Sequence, residues 1–327
     1  MNILVTKSNS SVAMGVIKSI PKEHNIISVG FDEYSPVGNF VNKNYKIEDL
    51  NDIYDIIKKE KIDLLFPIDE DVLFVSKNHK VFEDLGVKFL ISDFDDISYC
   101  DDKLNFNRLN NNSEKINSIE NLFSLPRKFD KSDAIYEQMY GFLDVLSDGD
   151  LTSGSTKKIA MRAEPRYGFG ERHTVAHTYE HLINLQSPDV IFVEGEWGMT
   201  NYRIDILCDS NSNIVSSVCR EVITQDRGLE LKIKVVDFNV KIFDKMCKIL
   251  NIKGPVSFYC ESNDLNGEFK LDNVNCNFSS GVYFNTLAGS NFTEIIIDIL
   301  QNKDVTPVNP NNILAHRYNT EIIDEYI

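Results

Sequence analysis

Short apolar runs alternate with helix-like segments through the first 97 residues or so, and no other feature constrains the fold as strongly. Strand-like runs lie at residues 2–6, 26–30, 62–66 and 87–91. Between the first two runs, apolar residues recur at helical spacing from Val12 to Ile20. Because a β-α-β alternation favours a parallel sheet covered by helices, the sequence predicts an α/β domain over residues 1–97.

The rest of the chain shows a different pattern. Residues 98–150 are rich in Asn, Asp, Ser and Lys, and the chain becomes rich in strand-like runs from residue 157. Helical patterns near 238–250 and 291–301 interrupt these runs. We therefore predict a second part of α+β type with antiparallel strands.

Charge and composition narrow the classes of partner. The formal net charge is −16, and 42% of the residues are hydrophobic, as in a soluble globular protein. Nucleic-acid-binding proteins present a basic surface, and anionic membranes attract basic segments. We therefore expect neither nucleic acid nor membrane as a partner.

The cysteines and the N-terminus indicate the cellular compartment. None of the six cysteines forms a Cys-x-x-Cys pair, and several lie inside apolar strand-like runs. Such cysteines are typical of reduced, buried thiols. The N-terminus begins directly with a strand pattern, and no apolar run reaches the ~18 residues of a membrane span. We therefore expect a cytoplasmic protein.

A glycine-containing stretch, Glu164–Gly170, lies between a predicted strand and a predicted helix. Glycine lets backbone amides approach phosphate oxygens closely, so Gly168 and Gly170 are candidates for phosphate contact. A Gly-x-Gly pattern by itself is also typical of an ordinary turn. Its position relative to other motifs therefore decides the interpretation.

Four stretches in this order resemble the ATP-grasp superfamily, in its branch related to the carbamoyl-phosphate synthase large chain. They are Lys61–Glu70 with Ile91–Lys103, Glu164–Gly170, Val193–Asp209 and Gly254–Gly281. The resemblance implies a Rossmann-like domain at 1–97, a first grasp subdomain with the glycine flap at 98–190, and a second subdomain with the C-terminal tail at 191–327.

The resemblance implies a set of nucleotide-binding residues. Lys103 matches a family lysine that reaches the phosphates, although a single lysine is more commonly a solvated surface residue. Glu164 stands where the family has a lysine, and Arg162, two residues earlier on the same strand face, could replace it.

The hinge glutamate of the family, which binds the ribose of ATP, also has no direct match. Its place falls on Ile191, while Glu194 and Glu196 lie nearby in the sequence and could take its role.

The resemblance further implies catalytic and metal-binding residues. Arg220 resembles a strand arginine that faces phosphate or substrate. The metal-binding positions fall on Tyr259, Asn273 and Asn275, of which only Asn275 agrees with the family pattern. Asp272 and Glu261 could supply the missing carboxylates. The family's last arginine is replaced by Asn277.

Two functions remain open at this stage. The resemblance implies an ATP-dependent ligase that uses ATP and Mg²⁺, joins a small carboxylate to an amine through an acyl phosphate, and could act as a homodimer. The alternative is a catalytically degenerate binding or regulatory subunit. It is motivated by three altered hallmarks, namely the flap lysine, the hinge glutamate and the metal-binding glutamate.

Three further groups admit two interpretations each. His173, His177 and His181 would share one helical face, which suits either a transition metal or an exposed polar surface. The residues 69–71 could contact a ligand at the sheet edge, or Asp69 could cap a helix. The loop 8–11 lacks the dinucleotide glycine fingerprint but could cap the helix that follows.

Overall fold

The protein is described by a computed structural model that covers residues 1–101, 200–226, 229–262 and 270–318, together with the backbone of strands at 159–165, 174–175 and 190–196. The chain separates into two compact units. The first is drawn from Met1–Ile97, Arg203–Ser257 and Asn275–Ile327, and the second from Ser98–Tyr202 and Phe258–Val274. Within the described residues, helices are too short or too polar to cross a membrane.

The N-terminal part of the first unit contains a parallel sheet flanked by helices. In chain order its elements are β1 (Asn2–Val5), α1 (Ser11–Ser19), β2 (Asn25–Gly30), β3 (Lys43–Lys46), α2 (Asp52–Glu60), β4 (Leu64–Phe66), α3 (Asp71–Lys77), α4 (His79–Asp84) and α5 (Phe94–Asp101), whose last residues belong to the second unit. The strand order is β3-β2-β1-β4, and all neighbouring strands are parallel. The predicted α/β fold of this part is confirmed.

Successive residues of β1 face opposite cores, as a strand requires. Ile3 and Val5 belong to one buried apolar cluster, which includes the inner side of α1. Leu4 belongs to a second cluster with Ile53 of α2 and Phe82 of α4. The sheet is therefore buried on both faces, which explains why its strands read as continuous apolar runs.

The remaining strands and helices follow. They are β5 (Ile159–Pro165), β6 (Thr174–Val175), β7 (Val190–Glu196), β8 (Thr200–Cys208), β9 (Ile214–Asp226), β10 (Leu229–Val236), α6 (Lys241–Ile249), β11 (Gly254–Ser262), β12 (Lys270–Asn275), α7 (Val282–Leu287), α8 (Phe292–Leu300) and β13 (Leu314–His316). One sheet has the order β12-β11-β8-β9-β10-β13, and another has the order β6-β5-β7. The pairs β9–β10, β10–β13, β5–β6 and β5–β7 are antiparallel, as predicted.

One core within the first unit joins segments that are far apart in sequence. The cluster that contains Ile3 also contains Leu207 of β8, Ile233 of β10 and Phe292 of α8. A polar contact accompanies it, because Thr293 Oγ1 donates a hydrogen bond to the carbonyl oxygen of Ser19 at 2.8 Å. Helix α8 therefore packs in the same hydrophobic core as β1, although the two elements lie at opposite ends of the chain.

Two details of the parallel sheet differ from the prediction. Residues 87–91 form only an isolated parallel bridge, between Lys88 and Leu64, rather than a full strand. The edge strand β3 was not predicted, because its sequence Lys43–Lys46 is polar and half exposed. An edge strand pairs on one side only, so it needs no apolar run to be stable.

The segment that follows the bridge is instead held by the residues before β11. The backbone amide of Lys253 donates to Ser92 Oγ at 2.8 Å, and Ser92 Oγ donates to the carbonyl oxygen of Lys253 at 3.1 Å. Gly254 then adopts a positive φ of 75°, and a β-carbon there would overlap the carbonyl group of Leu90. Only glycine fits this close approach of two backbones.

Candidate functional site

Arg220, the residue predicted to face substrate, lies on β9 opposite Val235 of β10. Its side chain has no exposed surface. A charge removed from water in this way is stable only when it is paired and hydrogen-bonded. The partners of Arg220 therefore decide what this residue can do.

Five hydrogen bonds use every donor of the Arg220 guanidinium. Glu230 accepts two in a fork, from Nε at 2.7 Å and from Nη2 at 3.0 Å. Asp205 Oδ2 accepts from Nη1 at 2.7 Å, and Asn285 Oδ1 accepts from Nη1 as well. Ser279 Oγ accepts from Nη2 at 3.1 Å. Arginine has five N–H donors, so none is left for a substrate in this structure.

These five residues, here called the Arg220 cluster, are Arg220, Asp205, Glu230, Ser279 and Asn285. Asp205 is 3% exposed and also accepts hydrogen bonds from Ser257 Oγ at 2.8 Å and from Ser279 Oγ at 2.6 Å. Burial acts to raise the pKa of Asp205, but the Arg220 charge and these hydrogen bonds hold that pKa below its ordinary value. Asp205 therefore stays ionised.

The Arg220 cluster fixes the loop that follows β12. Ser279 Oγ accepts a hydrogen bond from the Gly281 amide at 3.1 Å in addition to its bonds within the cluster. The α-carbon of Gly281 lies against the Arg220 guanidinium so closely that a β-carbon would overlap it. The loop residues 277–281 are thereby held against a rigid, charged support.

A second guanidinium contacts the same loop from the C-terminal segment. Arg317 Nη2 donates a hydrogen bond to the carbonyl oxygen of Ser280, and its guanidinium lies 5.0 Å from the ring centroid of Phe284. Burial, together with the nearby Arg220 charge, lowers the pKa of Arg317. Both guanidinium groups therefore hold this loop, Arg220 through Ser279 and Arg317 through the Ser280 carbonyl oxygen.

The predicted metal-binding residues lie on β11 and β12. Glu261 is 7% exposed and Asn275 is 6% exposed. Asn273 is partly buried, and its Oδ1 accepts a hydrogen bond from the Val274 amide at 3.0 Å. Asp272 is placed in β12 by its backbone, but its side chain lies outside the described residues.

The predicted nucleotide-binding residues are described in part. Lys103, Gly168 and Gly170 lie outside the described residues, as do His173, His177 and His181. Arg162 pairs with Val193 in the β5–β7 ladder.

Glu194 and Glu196, the two candidates for the hinge role, lie two residues apart on β7. Glu194 pairs with Met161 and Glu196 pairs with Ile159 of β5. The backbone therefore places Glu194 one residue beyond the partner of Arg162.

Sequence reasoning missed Glu230, which accepts two hydrogen bonds from Arg220. Strict alternation from the buried residues Ile233 and Val235 would place Leu231 inside and Glu230 outside. A bulge in the β9–β10 ladder shifts the register between Glu230 and Ile233, so Glu230 is buried. In the sequence, the run Glu230–Ile233 shows only a polar and an apolar residue in alternation. That alternation assigns Glu230 to the exposed face, so nothing in the sequence indicates its burial.

Acidic residues also gather at the carboxyl edge of the parallel sheet. Asp69 adopts a positive φ of 52° and accepts a hydrogen bond from Ser10 Oγ at 2.8 Å. The N-cap of α3 is Glu70, without a side-chain cap bond, so the prediction that Asp69 caps this helix was wrong. Ser10 caps α1 by accepting from the Val12 amide, which confirms the capping interpretation of the loop 8–11.

Stability is expected to fall as pH rises from about 4 to about 6, because burial raises the pKa of Asp71 to about 6. At a pH between the pKa of Asp71 in the unfolded chain and its pKa in the folded chain, the folded chain holds a proton that the unfolded chain releases. In that range the free energy of unfolding falls by about 1.4 kcal/mol for each pH unit of increase. Chemical denaturation from pH 4 to 7 measures the slope, and Asp71→Asn should remove most of it. If the slope is unchanged in Asp71→Asn, a group other than Asp71 causes the pH dependence of stability.

The cysteines behave as the sequence predicts. All six are buried, and none forms a disulfide. Burial raises the pKa of Cys219 well above its ordinary value, which disfavours the reactive thiolate. Within the described residues, no group of three or more His, Cys, Asp or Glu side chains is arranged to hold a metal ion.

The chain matches no protein-family model and no curated protein in sequence. Solved structures do resemble it. The biotin carboxylase domain of 2-oxoglutarate carboxylase from Hydrogenobacter thermophilus, solved as a dimer with MgADP, ADP and bicarbonate, is 13% identical. The alignment covers 93% of this chain and 70% of that chain, with a TM-score of 0.63.

A second enzyme gives the same result. N5-carboxyaminoimidazole synthetase from Staphylococcus aureus, solved with ADP, is 9% identical, with 96% of this chain and 79% of that chain aligned at a TM-score of 0.61. The biotin carboxylase from Campylobacter jejuni aligns at a TM-score of 0.60 and 12% identity, over 93% of this chain and 71% of that chain. These enzymes share one architecture with this chain, which therefore has the ATP-grasp fold.

Proposed function

We propose that the chain is an ATP-dependent ligase that joins a small carboxylate to an amine. The observation that carries this proposal is the extent of the fold likeness. Some 93% of the chain aligns with a domain solved with MgADP and bicarbonate, and 96% aligns with a synthetase solved with ADP. Fold alone is an analogy for function, so the experiment below tests nucleotide binding directly.

The proposed reaction has two balanced steps. A carboxylate oxygen of the substrate attacks the γ-phosphorus of ATP, and ADP leaves with the electron pair of the broken P–O bond. The amine lone pair then attacks the acyl carbon of the acyl phosphate. Inorganic phosphate leaves with the C–O bonding pair, and the nitrogen loses a proton.

The nucleotide site is proposed to use residues from the flap and from β5. Lys103 and Arg162 would neutralise phosphate charge, and the backbone amides at Gly168 and Gly170 would cover the phosphates.

The hinge strand is proposed to hold the ribose. Glu194 and Glu196 lie on β7, and their backbones are next to those of Met161 and Ile159 of β5. A carboxylate at this position would accept hydrogen bonds from the ribose hydroxyl groups.

We propose that Arg220 acts through the loop 277–281 rather than by touching the substrate. Its five N–H groups are all donated within the Arg220 cluster, and its side chain has no exposed surface. The guanidinium supports Ser279 directly and lies under Gly281. It would thus hold the loop in the shape that a ligand meets.

The donor set fits a magnesium ion that completes its coordination with phosphate oxygens and water. Glu261 and Asp272 offer carboxylates, while Asn273 and Asn275 offer amide oxygens, and these are the donor types that Mg²⁺ accepts. When bound, the ion would neutralise charge on the phosphates. Within the described residues no three acidic side chains are arranged to hold a metal ion, so Asn273 and Asn275 would have to supply part of the coordination.

The second candidate function is a binding or regulatory subunit without catalysis. The specific observation in its favour is the saturation of Arg220, which leaves the predicted phosphate-facing arginine without a free donor. Such a subunit would keep the fold and could still bind nucleotide. It would not release ADP when carboxylates and amines are supplied.

Isothermal titration with ATP and with ADP, each with and without magnesium, tests the proposal. We expect micromolar binding that strengthens when magnesium is present. A subsequent screen of carboxylates and amines for ADP release separates the ligase from the binding subunit. An absence of binding at millimolar nucleotide would exclude the ligase.

A further inference from the structure

Residues 311–318 lie along the outer edge of β10 and are here called the C-terminal strap. Strand β13 forms the middle of the strap and is the last strand of its sheet, next to β10. Leu314 is 57% exposed and Tyr318 is 84% exposed, whereas Ala315 packs in part against the core cluster that contains Ile3. The strap therefore buries little apolar surface, and a segment of this kind opens more easily than the core.

Arg317 anchors the strap to two other parts of the same unit. Its backbone amide donates a hydrogen bond to the carbonyl oxygen of Leu231 at 2.7 Å. Its Nη2 donates to the carbonyl oxygen of Ser280, and the guanidinium lies over the ring of Phe284. The side chain of this one residue thereby joins the strap to the loop 277–281.

The Arg317 guanidinium has far fewer partners than that of Arg220. Arg220 donates five hydrogen bonds, whereas the guanidinium of Arg317 donates one, and its buried Nη1 has no acceptor among the described residues. Burial and the like charge of Arg220 both disfavour the charged form of Arg317. Glu230 attracts Arg317, but both Glu230 oxygens already accept from Arg220. A buried charge with few partners destabilises the closed strap, which makes the strap easier to open.

We infer that the C-terminal strap opens as a unit in the folded protein and that its opening withdraws Arg317 from the loop 277–281. The loop then keeps its contact with Arg220 through Ser279 but loses its second support at Ser280. The strap is thus a switch that sets how rigidly the loop is held. A ligand that requires the rigid loop would favour strap closure, because a ligand shifts an equilibrium towards the state that it binds better. The inference is independent of the proposed function, since it concerns the protein without ligand.

Amide hydrogen exchange of the wild-type protein, followed by NMR, tests the opening. The amides of Asn311 and Arg317 donate to carbonyl oxygens outside the strap at 2.7 Å and report on the strap. The amide of Val282 donates to the carbonyl oxygen of Ser279 at 3.1 Å and reports on the loop. After correction for intrinsic rates, we expect the strap amides to exchange about 100-fold or more faster than those of the central strand β9, with little dependence on urea. Exchange of the strap only through global unfolding would overturn the inference.

A reversible disulfide across the strap tests its coupling to the loop. Lys234 and Leu314 are direct partners in the β10–β13 ladder, and both side chains are exposed. Partners of this kind have β-carbons about 4.5–5.5 Å apart, which a disulfide bridges after a small adjustment. In the variant Lys234→Cys/Leu314→Cys, closing the disulfide should slow exchange at both Arg317 and Val282 by about 10-fold or more. The reduced form of the same variant is the matched control. A slower strap with an unchanged Val282 would show that the loop is not coupled and would overturn the inference.

Arg317→Ala in the disulfide-closed variant separates the anchor from the strap that carries it. The strap stays closed, so loss of the bond to Ser280 should by itself speed exchange at Val282 by about 10-fold, as expected for a hydrogen bond from a charged donor. His316→Ala is the matched control, because His316 is the neighbouring strap residue and its side chain is exposed. It should leave exchange at Val282 at the value of the disulfide-closed variant. Equal effects of the two substitutions, or no effect of Arg317→Ala, would overturn the role given to Arg317.

Discussion

Arg220→Leu is expected to lower the free energy of unfolding by about 3–5 kcal/mol, because it leaves Asp205 and Glu230 as uncompensated buried charges. Both carboxylates are less than 4% exposed, and each lies within 2.7 Å of the Arg220 guanidinium. Asn285 and Ser279 would lose a charged partner at the same time. Urea denaturation monitored by far-UV circular dichroism measures the change at pH 7.

The pH dependence of the Arg220→Leu variant provides an internal check. Without the guanidinium, burial would raise the pKa of Asp205, and protonation of that group would relieve part of the uncompensated charge. The difference from the wild type should therefore shrink as pH falls from 7 towards 5. A difference that stays constant over this range would contradict the explanation by buried charge.

An exposed ion pair serves as the matched control. Lys248 and Asp244 form an i,i+4 pair on α6 at 2.8 Å, with side chains that are 50% and 44% exposed. Exposed pairs of this type contribute about 0.3–0.5 kcal/mol, so Lys248→Ala should cost less than about 1 kcal/mol. If Arg220→Leu lowered the free energy of unfolding by as little, water would have to reach the Arg220 cluster, and the cluster would not be buried.

Gly254→Ala is the second change with a large expected effect. Its new β-carbon would overlap the carbonyl group of Leu90, and its φ of 75° disfavours any residue with a β-carbon. Overpacking of this kind costs about 1–3 kcal/mol, and the left-handed conformation costs about 1–2 kcal/mol more. The atom in the way is backbone, so no side-chain rotation can relieve the contact. Thermal and urea unfolding would both measure the loss.

Gly86 provides the control for Gly254. Its φ is 77°, nearly the same, but a β-carbon there would meet nothing within 4 Å. Gly86→Ala therefore isolates the conformational cost of about 1–2 kcal/mol, and the difference between the two variants isolates the overlap with Leu90. Equal losses in both variants would contradict the close approach of the two backbones.

Hydrophobic periodicity was sufficient to predict much of the fold. The strands β1, β2 and β4 were predicted because a sheet buried on both faces requires continuous apolar runs. Strands β8 to β10 and the helices α6 and α8 were also predicted from their patterns. Strand β3 was missed because its stability comes from pairing with β2 along one edge and not from apolar residues.

The site was less accessible to sequence reasoning, for identifiable reasons. Arg220 was singled out by family resemblance, but its partners converge from four separate stretches, which no local pattern reveals. Glu230 is turned inward by a bulge, and Asp69 adopts a positive φ that removes it from the capping position. The contact between Arg317 and Ser280 joins residues 37 positions apart and carries no motif.

The division of the first unit into three chain segments determines when it can fold during synthesis. Helix α1 and strand β1 share their core with Phe278, Phe292 and Ile296, which the ribosome adds much later. Until then one face of the parallel sheet is covered only in part, by α1, whereas the other face can already pack against α2 and α4. The nascent chain therefore exposes apolar surface on this face of the sheet until residues 278–297 are synthesised. We expect holdase chaperones to bind the nascent chain at this face during that interval.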